Sequence, residues 1–126
     1  MTMTMTMTTG IVLFAHGSRD ERWRAPVEAV ARRVAALAPS AQVACAYLEL
    51  VEPDLGTAVA RQVAQGAAAV RIVPLFLGMG KHLREDLPGL VEALRARHPE
   101  VVISLARAVG EEPEVIELLA RKALEF

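Results

Sequence analysis

Apolar and polar positions along this chain fall into blocks whose period changes. Ile11-Val12-Leu13-Phe14-Ala15 is a short unbroken apolar run, the mark of a strand buried on both faces. From about Asp20 to Leu37 the spacing becomes helical, with Val27, Val30, Ala31, Val34 and Leu37 on one side and Pro39 closing the segment. Pro26 falls inside this span, so the helix either starts near it or is kinked there. Val43 to Leu48 reads as a second strand. Pro53, at a favoured first helical position, opens a helix to about Gln65, with Gly66 as its C-terminal cap. Val70 to Leu77 predicts a third strand and roughly Leu83 to Arg97 a third helix. Val101 to Leu105 predicts the fourth strand, and Pro113 opens a last helix to about Leu124.

The order is βα repeated four times. Strands that alternate with helices run parallel, and each crossover is right-handed. The predicted fold is therefore an α/β three-layer sandwich around a four-stranded parallel sheet in the flavodoxin-like order 2-1-3-4, as one domain over residues 10–126. Residues 1–9, MTMTMTMTT, are a low-complexity segment lacking the basic start and apolar stretch of a secretory signal. They read either as a loose leader or, by their period of two, as an extension of the first strand.

Composition narrows the class. A chain of 126 residues with 53% hydrophobic content can build one real core, but at 4% aromatic residues Ala, Val and Leu must fill it. A formal charge of −1 gives no global basic field, which argues against a dedicated nucleic-acid binder. The single Cys45 has no internal disulfide partner, which fits a reducing, cytoplasmic setting. No apolar run approaches the ~18 residues a membrane span requires.

In such sheets ligands bind beyond the carboxyl ends of the strands, where the strand order reverses. His16 directly follows the first strand, and His82 follows the third through Gly78-Met79-Gly80-Lys81. In the order 2-1-3-4 these strands are neighbours, so two histidines 66 positions apart meet at one crevice. Imidazole is both a metal ligand and a base near neutral pH. Gly78 and Gly80 let backbone approach a flat ligand closely. Arg19, Arg22, Lys81 and Arg84 could pair with ligand carboxylates, although interleaved Asp20, Glu21, Glu85 and Asp86 fit a solvated helix-start surface equally well. Of Glu49 and Glu52, which follow the second strand, one can face the crevice and the other solvent. His98, before Pro99 at a helix end, reads as structural. Cys45 reads as a small hydrophobe, and Trp23 and Tyr47 as packing residues, with Trp23 alternatively at a crevice mouth.

Three stretches carry a resemblance: His16-Gly17-Ser18-Arg19 after its apolar strand, Leu48-Glu49-Leu50-Val51-Glu52-Pro53, and Pro74-Leu75-Phe76-Leu77-Gly78-Met79-Gly80-Lys81-His82 continued by Asp86-Leu87-Pro88. In this colinear order the chain resembles the short-form, single-domain sirohydrochlorin chelatases, cobaltochelatase type. The resemblance implies insertion of a divalent metal, Co²⁺ first and Fe²⁺ or Ni²⁺ as alternatives, into sirohydrochlorin, with no permanently bound cofactor. It implies that His16 is proton acceptor and metal ligand, that His82 is the second metal ligand, and that Glu52 and Leu77, Gly78, Met79, Gly80 and Lys81 contact the tetrapyrrole. It further implies a homodimer. The Met/Thr segment has no counterpart in the pattern, and the His-rich insertion of some archaeal nickel-using relatives is absent. A non-catalytic tetrapyrrole or metal carrier is the competing class. A nucleotide-binding module is disfavoured, because neither a dinucleotide-binding nor a P-loop glycine pattern follows a strand.

Overall fold

The computed structural model describes residues 8–125. Four strands, β1 (Thr8–Ala15), β2 (Gln42–Tyr47), β3 (Ala67–Pro74) and β4 (Val102–Leu105), alternate with helices α1 (Glu21–Leu37), α2 (Leu55–Ala64), α3 (Lys81–Arg97) and α4 (Pro113–Ala123). A 3₁₀ turn at Val109–Glu111 precedes α4. All strand pairs are parallel, in the order β2-β1-β3-β4. The expected topology and sheet order are those observed.

Local chemistry moves several boundaries. Thr8 and Thr9 belong to β1, so the strand-extension reading holds for the end of the Met/Thr segment, and residues 1–7 lie outside the described residues. Helix α1 starts at Glu21 because the Asp20 carboxylate accepts from the Arg22 amide at 2.9 Å, and Pro26 therefore sits within the helix. Pro53 does not open α2. The Asp54 carboxylate caps that helix by accepting from the Thr57 amide at 2.8 Å, which places Pro53 outside it. Gly66, at φ +98, does follow the end of α2 in the left-handed conformation expected of it. β3 begins at Ala67 rather than Val70 and ends at Pro74 rather than Leu77. Three alanines carry little strand signal of their own, but pairing with β1 recruits them. Helix α3 starts at Lys81, two residues earlier than its apolar pattern shows, so His82 stands on the helix.

The sheet's two faces are covered differently. Val12, Phe14, Ala46, Val70, Ile72 and Ile103 point to one face, where Leu55, Ala58 and Val59 of α2 and Leu87, Val91 and Leu94 of α3 seal them. This is the core. The opposite face carries Leu13, Cys45 and Val73 in register, and α1 covers part of it, with the Cys45 thiol 4.0 Å from the Val27 carbonyl oxygen. Burial pushes that thiol's pKa up. Neither α1 nor α4 has a fully buried residue.

Candidate functional site

The carboxyl ends of β1, β2 and β3 meet at a cavity of about 380 Å³ lined by His16, Trp23, Arg24, Val27, Tyr47 and Phe76, among others. It lies where the order reverses between β1 and its two neighbours, as the topology requires.

His16 is placed by backbone pairing that continues past the strand ends. The Leu48 amide donates to the Ala15 carbonyl at 2.9 Å, and the Glu49 amide donates to the His16 carbonyl at 3.1 Å. Gly17 makes this approach possible. It has φ +99, and a Cβ there would lie 2.0 Å from the Glu49 carbonyl oxygen. The two chains close side by side, and His16 Nε2 comes 3.6 Å from Glu49 Oε1, both side chains more than half exposed. The imidazole lines the cavity, and the carboxylate stands beside it, just outside the lining.

The walls are largely apolar. Phe76 packs edge-on against core Phe14, with ring centroids 5.9 Å apart at 80°, and the Leu75 amide donates to the Phe14 carbonyl at 2.7 Å. These contacts fix the start of the loop after β3. Tyr47 is buried, and its phenol pKa is pushed up to about 12, first by burial. It therefore stays a neutral hydroxyl at any ordinary pH. Arg24 brings the cation. Its Nη1 donates to the Ser18 carbonyl at 2.9 Å, bracing the His16 loop, while its nearest carboxylate, Glu21, is 3.9 Å away. Arg22 is engaged elsewhere, donating through Nε and Nη2 to both Asp20 carboxylate oxygens.

His82 stands in the first turn of α3, exposed, at the same end of the sheet but outside the lining of the cavity. Among the described residues, no three His, Cys, Asp or Glu side chains form a ready-made metal cage. Between Phe76 and His82 the loop is anchored by Met79, half-buried against the core, while Leu77, Gly78, Gly80 and Lys81 are exposed. A Cβ at Gly78 or Gly80 would meet nothing within 4 Å, so both glycines face open space. Glu52 is exposed and lies outside the cavity lining. Of the two glutamates after β2, Glu49 is the one that meets His16. Trp23, 74% exposed, lines the crevice instead of packing. Arg24 had no sequence signal that set it apart from neighbouring charges, and nothing in the sequence ranked Glu49 above Glu52.

The CbiX family model matches residues 10–126, nearly the whole described chain. The chain belongs to the CbiX family. This CbiX-family chain is 40% identical to a cobalamin (vitamin B12) biosynthesis CbiX protein from Marinobacter aquaeolei VT8, whose crystal structure it matches with a TM-score of 0.77 over 92% of this chain and 93% of that one. It is 30% identical over 111 residues to the sirohydrochlorin ferrochelatase of Bacillus subtilis, covering 88% of this chain but only 42% of that protein's length. It is 26% identical to the sirohydrochlorin cobaltochelatase of Sulfolobus acidocaldarius, covering 90% of this chain and 89% of that one. CbiX-type chelatase relatives thus include proteins of this size and one more than twice as long.

Proposed function

We propose that this chain is an enzyme that inserts a divalent metal ion into sirohydrochlorin, with Co²⁺ as its metal, in cobalamin-type tetrapyrrole biosynthesis. The observation that carries the reading is His16 on the wall of an apolar crevice, with the Glu49 carboxylate 3.6 Å from its Nε2. Metal insertion requires a macrocycle to lie flat, two pyrrole N–H protons to leave and a metal to be held loosely enough to transfer. Trp23 and Phe76 offer apolar surface to a ring face, and Arg24 offers a cation to a peripheral carboxylate.

In this reading His16 holds the incoming ion and, as the ion passes to the ring, accepts one pyrrole proton while the second leaves to solvent, and Glu49 supplies an oxygen donor beside it. His82, from the first turn of α3, supplies the second nitrogen, while the segment Leu77 to Lys81 and Glu52 contact the macrocycle rim. An incomplete donor set favours hand-over, because a closed four-ligand site would retain the metal. Imidazole and carboxylate donors suit Co²⁺, Fe²⁺ and Ni²⁺ alike. Iron is the second candidate, on the kinship with a ferrochelatase. We further propose a cytoplasmic homodimer. No helix among the described residues is long and apolar enough to cross a membrane.

The test is direct. Protein, sirohydrochlorin and Co²⁺ are mixed and the macrocycle's absorbance is followed. Many turnovers per site are expected. A single stoichiometric burst would leave a carrier in place of an enzyme, and faster insertion of Fe²⁺ under matched conditions would overturn the choice of cobalt.

A further inference from the structure

The crevice beside His16 is small for the molecule proposed to meet it. Its volume of about 380 Å³ lies at the low end of the roughly 300–1,000 Å³ that encloses drug-sized ligands, and a tetrapyrrole with acid side chains around its whole rim exceeds that size. A single pyrrole edge fits, and the macrocycle does not. The wall also holds a cation with few acceptors. Arg24 is set into it with its side chain only 21% exposed. Its Nη1 donates to the Ser18 carbonyl, and its nearest carboxylate, Glu21, stands 3.9 Å from Nη2 and is itself 90% exposed. Two other guanidiniums at this end of the sheet are met more closely, Arg22 by Asp20 at 2.9 Å and Arg107 by Glu112 at 3.3 Å. A guanidinium is a fork of N–H donors, and one drawn out of water with few acceptors favours an anion beside it. Two hydroxyl residues share the lining. Ser18 Oγ accepts from the Asp20 amide at 3.1 Å, which leaves its own hydrogen free to donate. Tyr47 keeps its phenol proton, and its hydrogen-bond neighbour is the Cys45 thiol, a weak acceptor.

We propose that this crevice seats one carboxylate-bearing pyrrole edge and not the whole macrocycle. An acetate or propionate side chain enters between α1 and the strand ends to reach Arg24, with the Ser18 and Tyr47 hydroxyls as further donors, while the ring plane lies across the mouth at Trp23. The inference rests on the substrate proposed above and makes Arg24 and Tyr47 specificity residues that the metal chemistry itself does not need. A charge-assisted hydrogen bond is directional and about twice as strong as a neutral one. Stacking on Trp23 leaves a flat ring free to rotate in its own plane. One side chain held in the crevice removes that freedom and fixes which pyrrole nitrogen faces His16, and such orientation is worth rate. Macrocycles without an acid side chain at that edge would be turned away, because the guanidinium would be covered and left unpaired.

The test uses the full chain and a fragment of the substrate. Porphobilinogen, a single pyrrole bearing one acetate and one propionate, is the probe, and unsubstituted pyrrole is the control. Trp23 is the chain's sole tryptophan and lines the crevice, so its emission reports occupancy. Wild type is expected to bind the probe and not the control, and the probe should inhibit cobalt insertion competitively with sirohydrochlorin. Arg24→Gln should weaken probe binding by about tenfold and raise the Michaelis constant for sirohydrochlorin by a similar factor, with Arg24→Lys between the two. Tyr47→Phe, which removes only a hydroxyl, should weaken the probe by roughly threefold. Titration with Co²⁺ alone should be unchanged in all three variants, which separates loss of the seat from collapse of the His16 loop. Wild type that ignores the probe, or Arg24→Gln that binds it equally well, overturns the seat even if sirohydrochlorin is metallated. Binding of the probe through Arg24 by a protein that turns over no sirohydrochlorin overturns the enzyme reading and leaves the seat for an acidic pyrrole standing.

Discussion

The two loops that carry the histidines begin alike and then diverge. After β1, the backbone is knitted to the segment after β2 by the Ala15–Leu48 and His16–Glu49 hydrogen bonds, over a glycine that admits no side chain. After β3, the start of the loop is likewise knitted, the Gly110 amide donating to the Phe76 carbonyl over a glycine that admits no side chain, but Gly78 and Gly80, on either side of Met79, have empty space around them. One loop is pre-organised up to its histidine, and the other opens from Gly78 to Gly80 before its own. A group that must ligate and take a proton benefits from a fixed position, since misplacement is costly in rate. Backbone that must lie against a large flat substrate benefits from being bare. The difference assigns the chemistry to the first loop and the embrace of the macrocycle to the second.

The largest expected effects fall on the histidines. His16→Ala and His82→Ala should each lower the catalysed insertion rate by roughly 100-fold or more, the scale of a lost general base or ligand. Both side chains are exposed, so melting temperature should barely change. Near-normal initial rates at saturating metal from either variant would remove that residue from the site. His98→Ala, at the C-terminal end of α3, is the control and should be nearly silent.

Gly17→Ala tests the knitted loop. Its φ of +99 and the 2.0 Å approach to the Glu49 carbonyl mean both backbone strain and a backbone clash. A loss of about 2 kcal/mol or more is expected in denaturant titration, together with most activity. Gly78→Ala has no such neighbour and should change stability by less than about 0.5 kcal/mol. Equal stability losses in the two variants would erase the contrast between the loops.

Glu49→Gln comes next. It keeps the shape beside His16 and removes the negative charge, and a rate loss of about tenfold is expected, about 1.4 kcal/mol of lost transition-state stabilisation. Glu52→Gln, which leaves the His16–Glu49 pair intact, should alter the Michaelis constant for sirohydrochlorin more than the maximal rate. The reverse ranking would exchange the two glutamates' roles.

This pair also marks where the sequence stopped being legible. Period and punctuation carried the element order, because buried parallel strands and capped helices write themselves in short-range patterns, whereas the strand order, and with it the meeting of the two histidine loops, rests on the common topology of such folds and not on any local pattern. The glutamates could not be ranked that way. Which one faces His16 depends on the chain turning after Tyr47, with Leu50 at φ +70, and on a glycine 32 positions earlier that admits the Glu49 backbone. His82 was expected in a loop because the first turn of α3, Lys81 to Arg84, has no carboxylate or hydroxyl cap to announce it. Trp23 reads either as a packing residue or as one at a crevice mouth, and it is the second that the structure shows, 74% exposed on α1 at the crevice. Non-local register and ligand-facing exposure are what a single sequence leaves unwritten.

The smallest effects concern how the two helices begin. Helix α1 is capped by the Asp20 carboxylate, whereas the N-cap of α3 is Gly80, which makes no side-chain cap bond. Hydrogen bonds from the Arg22 side chain, and then from its amide, hold Asp20 below the usual carboxylate pKa. The sign follows from linkage: its stabilisation is present above the ordinary carboxyl value and disappears as pH falls through the lowered one. The stability gap between wild type and Asp20→Ser should therefore close on acidification. Gly80 has φ −66 and ψ 167, an extended conformation open to any residue, with no atom within 4 Å of a would-be Cβ. Gly80→Ser should thus supply the missing cap and restrict the unfolded chain, raising stability by roughly 0.5 kcal/mol. If bare backbone at this turn serves the macrocycle, the same variant should bind sirohydrochlorin more weakly while folding better. A Gly80→Ser protein that is more stable and equally fast would show that the second loop's openness is only the absence of a cap.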